Sequence, residues 1–389
     1  MGLKRFDVYF DNPDATYYGG QTVSGRLFLH LDATKRIRGI EVRVRGEGEV
    51  RWTETRQIRE DGKMRPSHEY FRGHEQYFDN KYYVLGGTGS DIMLQPGDHC
   101  YPFSIVLPDT LPCSYEGRFG HIRYIVKAIL ERPWKHHHDA KAAFTVINHF
   151  DLNIDPKLKD PFVLSREKWL GWCCCRSGPL GLSLRGSTTG VVPGQNLPVT
   201  VEMENSTRQM VNRIFIEMAQ VVTFHANEGG NVKIRVDKVQ VAALELGALE
   251  PRAHRIWDQK FNIPTIPPSN LGNCKIIKIE YTLSARAELY SARRDVVVST
   301  PIMVGTVPLK QFWPILSPIP LTPQPVKIAD ELEIQPVPTE TPSPYPELPP
   351  PFYEECSQGS HNIRDPNDSE YTRGCLDFMP HYPTYNFDQ

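Results

Sequence analysis

The chain has 389 residues with 44 basic and 46 acidic side chains, a net charge of −2. That length suits about two domains and a tail, and the charge balance excludes a global basic footprint for nucleic acid or anionic lipid. No apolar leader core follows Met1-Gly2-Leu3-Lys4-Arg5-Phe6 and no run approaches the roughly 18 apolar residues of a spanning helix, so a cytoplasmic protein is expected, and its eight cysteines without paired spacing are expected as free thiols.

Along residues 1 to 150 the pattern is period two. Val23, Gly25, Leu27, Leu29 and Leu31 share one face, and Ile40, Val42 and Val44 alternate with Glu41, Arg43 and Arg45, as half-buried strands do. Arg43, Arg45 and Arg51 on alternate positions could meet phosphate, but Glu41, Glu47 and Glu49 between them favour a solvated, balanced face. The polar, glycine-containing segment Glu60 to Gly89 reads as a loop. Its His68-Glu69 and His74 are too widely spaced for a zinc-binding helix face, and Gly86-Gly87-Thr88-Gly89 lacks the Lys-Ser/Thr pair of a phosphate loop and reads as a turn. Strand residues Phe103 to Pro108 and Ile122 to Val126 follow, and His136-His137-His138 after Pro133-Trp134 reads as a solvated hairpin tip.

Asp151 to Pro161, punctuated by Pro156 and Pro161, is expected to be an extended connector. Beyond it Cys173-Cys174-Cys175 reads as ordinary free cysteine. Alternation then resumes in Leu197, Val199, Val201 and Met203, in Ile214, Ile216 and Met218, and in Ile277, Ile279, Tyr281 and Leu283, with a last strand over Asp295 to Gly305. The halves look like copies. Gly20-Gln21 precedes the strand at Val23 as Gly194-Gln195 precedes that at Leu197, and Leu111-Pro112 leads into Ile122-Arg123-Tyr124 as Pro267-Pro268 leads into Ile277 to Leu283. Many strands without intervening helices point to an all-β protein of two tandem immunoglobulin-like β-sandwiches. The expected organisation is a first sandwich over 1–150, a linker over 151–165, a second sandwich over 166–307, and a disordered proline-rich tail over 308–389.

That tail holds 17 of the chain's 34 prolines, too many for a packed core. Within it Pro350-Pro351-Phe352-Tyr353 has the Pro-Pro-x-Tyr form that aromatic-lined WW grooves read. Such composition generates the tetrapeptide by chance roughly one time in five, so the motif takes its weight from what precedes it. Pro380-His381-Tyr382-Pro383-Thr384-Tyr385 is a degenerate relative lacking the proline pair. Ser317-Pro318, Thr322-Pro323, Thr341-Pro342 and Ser343-Pro344 have the form of proline-directed phosphorylation sites.

Trp172-Cys173-Cys174-Cys175 to Leu184, then Pro193-Gly194-Gln195, resembles the entry into the second domain of α-arrestins. Phe6-Asp7-Val8 to Gly20-Gln21, Leu107-Pro108 to Tyr124, and Leu271-Gly272-Asn273-Cys274 to Tyr281 extend the resemblance over residues 6 to 307. It implies two arrestin sandwiches and a non-enzymatic adaptor, with no catalytic residue, metal or cofactor. Pro350, Pro351 and Tyr353, with Phe352 in the variable place, would recruit HECT-type ubiquitin ligases through WW domains to membrane receptors or transporters, promoting their ubiquitination and endocytosis. Peripheral association with plasma membrane and endosomes follows. An alternative within the arrestin fold is an endosomal sorting scaffold that acts without the ligase, and a remote one a metal-dependent hydrolase built on the histidine-rich loops. One branch binds thioredoxin through a second-domain cysteine. Here His254 takes that place and Cys274 matches a different cysteine, so thioredoxin is not an expected partner. The buried polar core that visual and β-arrestins use as a phosphate trigger finds no counterpart.

Overall fold

The computed structural model describes residues 2–60, 63–87, 89–170, 177–228, 231–289, 295–316, 348–366 and 368–387. Eleven strands build the first unit: β1 (Leu3–Phe10), β2 (Thr16–Tyr18), β3 (Thr22–Leu31), β4 (Lys35–Ile37), β5 (Gly39–Glu60), β6 (Lys63–Gly86), β7 (Ile92–Leu94), β8 (Gly97–Val106), β9 (Tyr115–Gly117), β10 (Gly120–Glu131) and β11 (His138–Ile147). A three-stranded sheet in the order β1-β3-β8 faces a larger sheet in the order β2-β11-β10-β5-β6. The second unit comprises β12 (Phe162–Leu170), β13 (Ser177–Gly186), β14 (Gly190–Val191), β15 (Asn196–Asn205), β16 (Val211–Glu228), β17 (Asn231–Leu249), β18 (His254–Asn262), β19 (Ile277–Glu288) and β20 (Val296–Val304). Its sheets run β12-β13-β15-β18 and β14-β20-β19-β16-β17.

The apolar alternation explains the layers. Val23, Leu27, Leu29 and Leu31 point into the first core, and Leu197, Val199, Val201 and Met203 into the second, all buried. Each such side chain contributes about 1.5–3 kcal/mol by leaving water. The duplicated landmarks occupy equivalent places. Gly20 and Gly194 both sit at positive φ, +80° and +84°, which only glycine adopts without strain. The next residue, Gln21 or Gln195, accepts with its side-chain oxygen from the backbone N–H three residues back, of Tyr18 at 2.8 Å and Val192 at 3.2 Å. Buried Tyr124 and Tyr281 each donate to a proline carbonyl, of Pro112 and Pro267.

Three segments differ from their expected form. Glu60 to Gly89 is mainly not a loop: β6 pairs antiparallel with β5 from Glu60↔Lys63 to Gly39↔Gly86 as one long hairpin. Polar residues fill it because its outer half has solvent on both faces. The connector is not extended either. It makes two 3₁₀ turns, Leu152–Ile154 and Pro156–Lys159, capped by the Asp151 and Asp155 side chains; proline opposes a helix interior but suits a first position. The third difference concerns the tail. Residues 348–366 and 368–387 pack on the sandwiches and form β21 (Phe352–Glu355), β22 (His361–Asn362), β23 (Thr372–Gly374), β24 (Asp377–Phe378) and β25 (His381–Thr384). The four Ser-Pro and Thr-Pro sites and Cys173 to Cys175 lie outside the described residues.

Candidate functional site

Pro350 and Pro351 enter β21, which pairs antiparallel with β25 in the register Phe352↔Thr384, Tyr353↔Pro383, Glu354↔Tyr382 and Glu355↔His381. The degenerate second motif is therefore the strand that covers the first. Period two sends neighbouring side chains to opposite faces. Phe352, in the variable place, is exposed, whereas Tyr353 turns inward until its hydroxyl lies 3.4 Å from that of Tyr18. Tyr18 in turn stacks on His149, ring centroids 4.4 Å apart. Burial pushes both phenols above their ordinary range.

Polar contacts hold β21 and β25 to both units. From the second unit, the Thr265 hydroxyl donates to Glu354 and the Thr265 carbonyl accepts from the Ser357 N–H. On the first, the hydroxyl of fully buried Tyr382 donates to the Ser114 carbonyl at 2.9 Å, and the His381 N–H donates to Thr145 Oγ1. The Tyr385 hydroxyl donates to the Thr306 carbonyl at 2.9 Å, and Leu348, Tyr385 and Phe387 join Leu152, Val192, Val307, Leu309 and Leu316 in an apolar cluster.

A buried charged cluster lies further along. Lys141 Nζ, on β11, reaches Asp365 Oδ2 at 2.8 Å, Asp368 Oδ2 at 2.9 Å and the Ile363 carbonyl at 2.7 Å. Lys127 binds Asp139 and Asp368 beside it, and β23 adds a parallel strand to β11. Sequence reasoning missed this cluster. Lys141 and its tail partners are more than 220 positions apart, and a lone lysine in an alternating strand carries no local signal.

The other candidates take ordinary roles. Arg43 pairs with Asp79, Arg45 with Glu47 and Asp365, so that face is balanced. His74 meets Glu47 and His68 meets Thr55. His136 and His137 stand at the β10–β11 tip in a recess with Arg38, Arg132, Trp134 and Lys135, while His138 is buried in β11. Among the described residues no group of three or more His, Cys, Asp or Glu is arranged to hold a metal ion. Among them, too, no helix is long and apolar enough to cross a membrane. His254 pairs with Glu202 at 3.0 Å, and burial raises the Cys274 thiol.

Residues 6–153 match the family described as Arrestin (or S-antigen), N-terminal domain, and residues 176–309 match its C-terminal domain. Arrestin domain-containing protein 17 of Caenorhabditis elegans is 32% identical over 321 residues, 79% of this chain and 71% of the relative. The chain belongs to the α-arrestin family. Arrestin domain-containing protein 4 of Mus musculus is 28% identical to this α-arrestin, covering 78% of the chain and 72% of the relative. Thioredoxin-interacting protein of Mus musculus is 25% identical, with 78% and 74% covered. Two arrestin domains make the α-arrestin an all-β protein with an adaptor role in protein trafficking, and neither matching family is a catalytic one.

Proposed function

We propose that this α-arrestin brings a HECT-type ubiquitin ligase to membrane receptors or transporters, with Pro350, Pro351 and Tyr353 as the WW-domain ligand and Phe352 as its variable place. The observation that carries the reading is a Pro-Pro-x-Tyr segment on the same chain as two arrestin domains. Paired prolines are already close to the polyproline II form, so docking them in an aromatic groove loses little conformational freedom. The sandwiches engage cargo, ubiquitination directs it to endocytosis, and the protein works peripherally at plasma membrane and endosomes. Thioredoxin has no place in this scheme because a histidine, His254, stands where the binding cysteine of that branch would be.

Tyr353→Ala is expected to abolish pull-down of WW-containing ligases from cells while leaving both sandwiches folded, since Tyr353 belongs to β21 of the tail and to neither sandwich sheet. Undiminished pull-down removes the motif from the function. One observation, the packing of residues 348–366 and 368–387 against both sandwiches, favours a second reading, an endosomal sorting scaffold that acts without the ligase. Cargo sorting that survives loss of ligase binding in Tyr353→Ala would select it.

A further inference from the structure

We propose that the Pro-Pro-x-Tyr ligand is masked by its own tail and is open to a WW groove only when β21 leaves β25. The proposal rests on the reading of Pro350, Pro351 and Tyr353 as a WW ligand and adds how access to it is regulated.

The two bound states compete for the same atoms. A WW groove takes the proline pair as polyproline II and closes around the tyrosine ring. In this chain Phe352 to Glu355 instead lie in a ladder with β25, and the Tyr353 ring is turned toward Tyr18. The side presented to solvent carries Phe352, the position a WW domain reads least. Release must therefore precede recognition.

The geometry also keeps the opening within reach. β25 is the anchored strand, fixed by buried Tyr382 on Ser114 and by Tyr385 on Thr306. β21 is the more lightly held one: among the described residues its strand pairs with β25 alone, and its side chains meet the sandwiches through exposed Glu354 on Thr265 and a long 3.4 Å contact of Tyr353 with Tyr18. Opposite Tyr353 stands Pro383, which has no N–H to give the ladder, and a two-stranded ribbon this short is marginal by itself. β21 can thus peel away while β25 and both sandwiches stay in place. If the open form is about one molecule in ten, the apparent affinity for a WW domain falls about tenfold.

The test compares one purified WW domain of a HECT-type ligase against a synthetic peptide of residues 346–357, the full chain, and the full chain carrying Tyr382→Ala, each with and without Tyr353→Ala. The peptide is expected to bind, the full chain to bind at least about tenfold more weakly, Tyr382→Ala to recover most of the difference, and Tyr353→Ala to abolish every signal. A full chain that binds as tightly as the peptide overturns masking and leaves the ligand reading intact; a peptide that does not bind overturns the ligand reading itself. Should Tyr382→Ala fail to fold, Phe352→Cys with Thr384→Cys replaces it, since these residues face each other in the register and Phe352 is in the variable place. With the cross-link between these two residues verified by mass spectrometry, the oxidised form is expected to bind at least about tenfold more weakly than the reduced form of the same protein. Equal binding in the two forms overturns the proposal.

Discussion

Tyr124 and Tyr281 hold equivalent corners of the two sandwiches, each through a hydroxyl donated to a proline carbonyl, at 2.6 Å and 2.7 Å. They differ in one partner. The Tyr281 hydroxyl also accepts from Gln220 Nε2 at 2.8 Å, and Gln220 is itself buried. Tyr124→Phe is expected to lower stability by about 1–2 kcal/mol, the effect of one buried carbonyl left without its donor. Tyr281→Phe should lower it by more, because Gln220 loses its acceptor too. Urea unfolding of the two variants checks the order, and equal losses would show that Gln220 Nε2 finds another acceptor, since the Gln358 amide donates to Gln220 Oε1. The duplicated setting of these corners was legible in the sequence, since the glycine-glutamine pairs and the order of prolines followed by an alternating strand are local and repeated. The inward turn of Tyr353 was not: composition marks a proline-rich segment as unable to build a core and says nothing of one that borrows the core of its neighbours.

At the scale of elements, β23 shows how a strand too short to stand alone is retained. It pairs with β11 over Asp139↔Thr372 to Lys141↔Gly374, and the preceding turn places Asp368 against Lys141, both side chains almost wholly buried. Removing one member of such a pair strands the other, with a loss of about 3–5 kcal/mol. Here the stranded carboxylate has a way out, because the tail can detach and hydrate it. Lys141→Met is therefore expected to release residues 361–378 to hydrogen exchange and protease while the sandwiches remain folded. Adding Asp368→Asn should restore part of the protection. Cleavage that spreads into β10 and β11 would show instead that the cluster holds the domain itself. Neither this strand nor the long β5–β6 hairpin was legible. Periodicity finds a strand where one face is apolar, and β6 carries buried apolar residues only at Phe71 and Phe78, with polar side chains along most of its length. The half-buried strands of both cores, with one face in each sandwich, were plain.

Taken whole, the molecule stores pH sensitivity where the tail meets the first sandwich. His121 on β10 is held down to about 3 by burial and then by Arg123, Arg51, His361 and Lys141 around it. His138 on β11 is held down to about 4 by burial and then by Lys35, Arg132 and Arg373. Both are neutral in the folded protein at neutral pH, whereas in the unfolded chain each takes a proton near pH 6.5. Below that pH the unfolded state binds more protons, so stability is fully present above about pH 6.5 and falls as the pH drops toward 4, at roughly 1.4 kcal/mol per pH unit for each histidine. Glu116 acts in the opposite sense, since burial raises its carboxyl, but it is one group against two and Arg123 draws it back. The expected outcome is a thermal midpoint that declines steadily from pH 7 to pH 4, with a shallower slope in His121→Gln, whose neutral side chain has no proton to gain. Differential scanning calorimetry across that range measures it, and a midpoint flat between pH 6.5 and pH 4 would mean that these histidines are protonated within the folded protein.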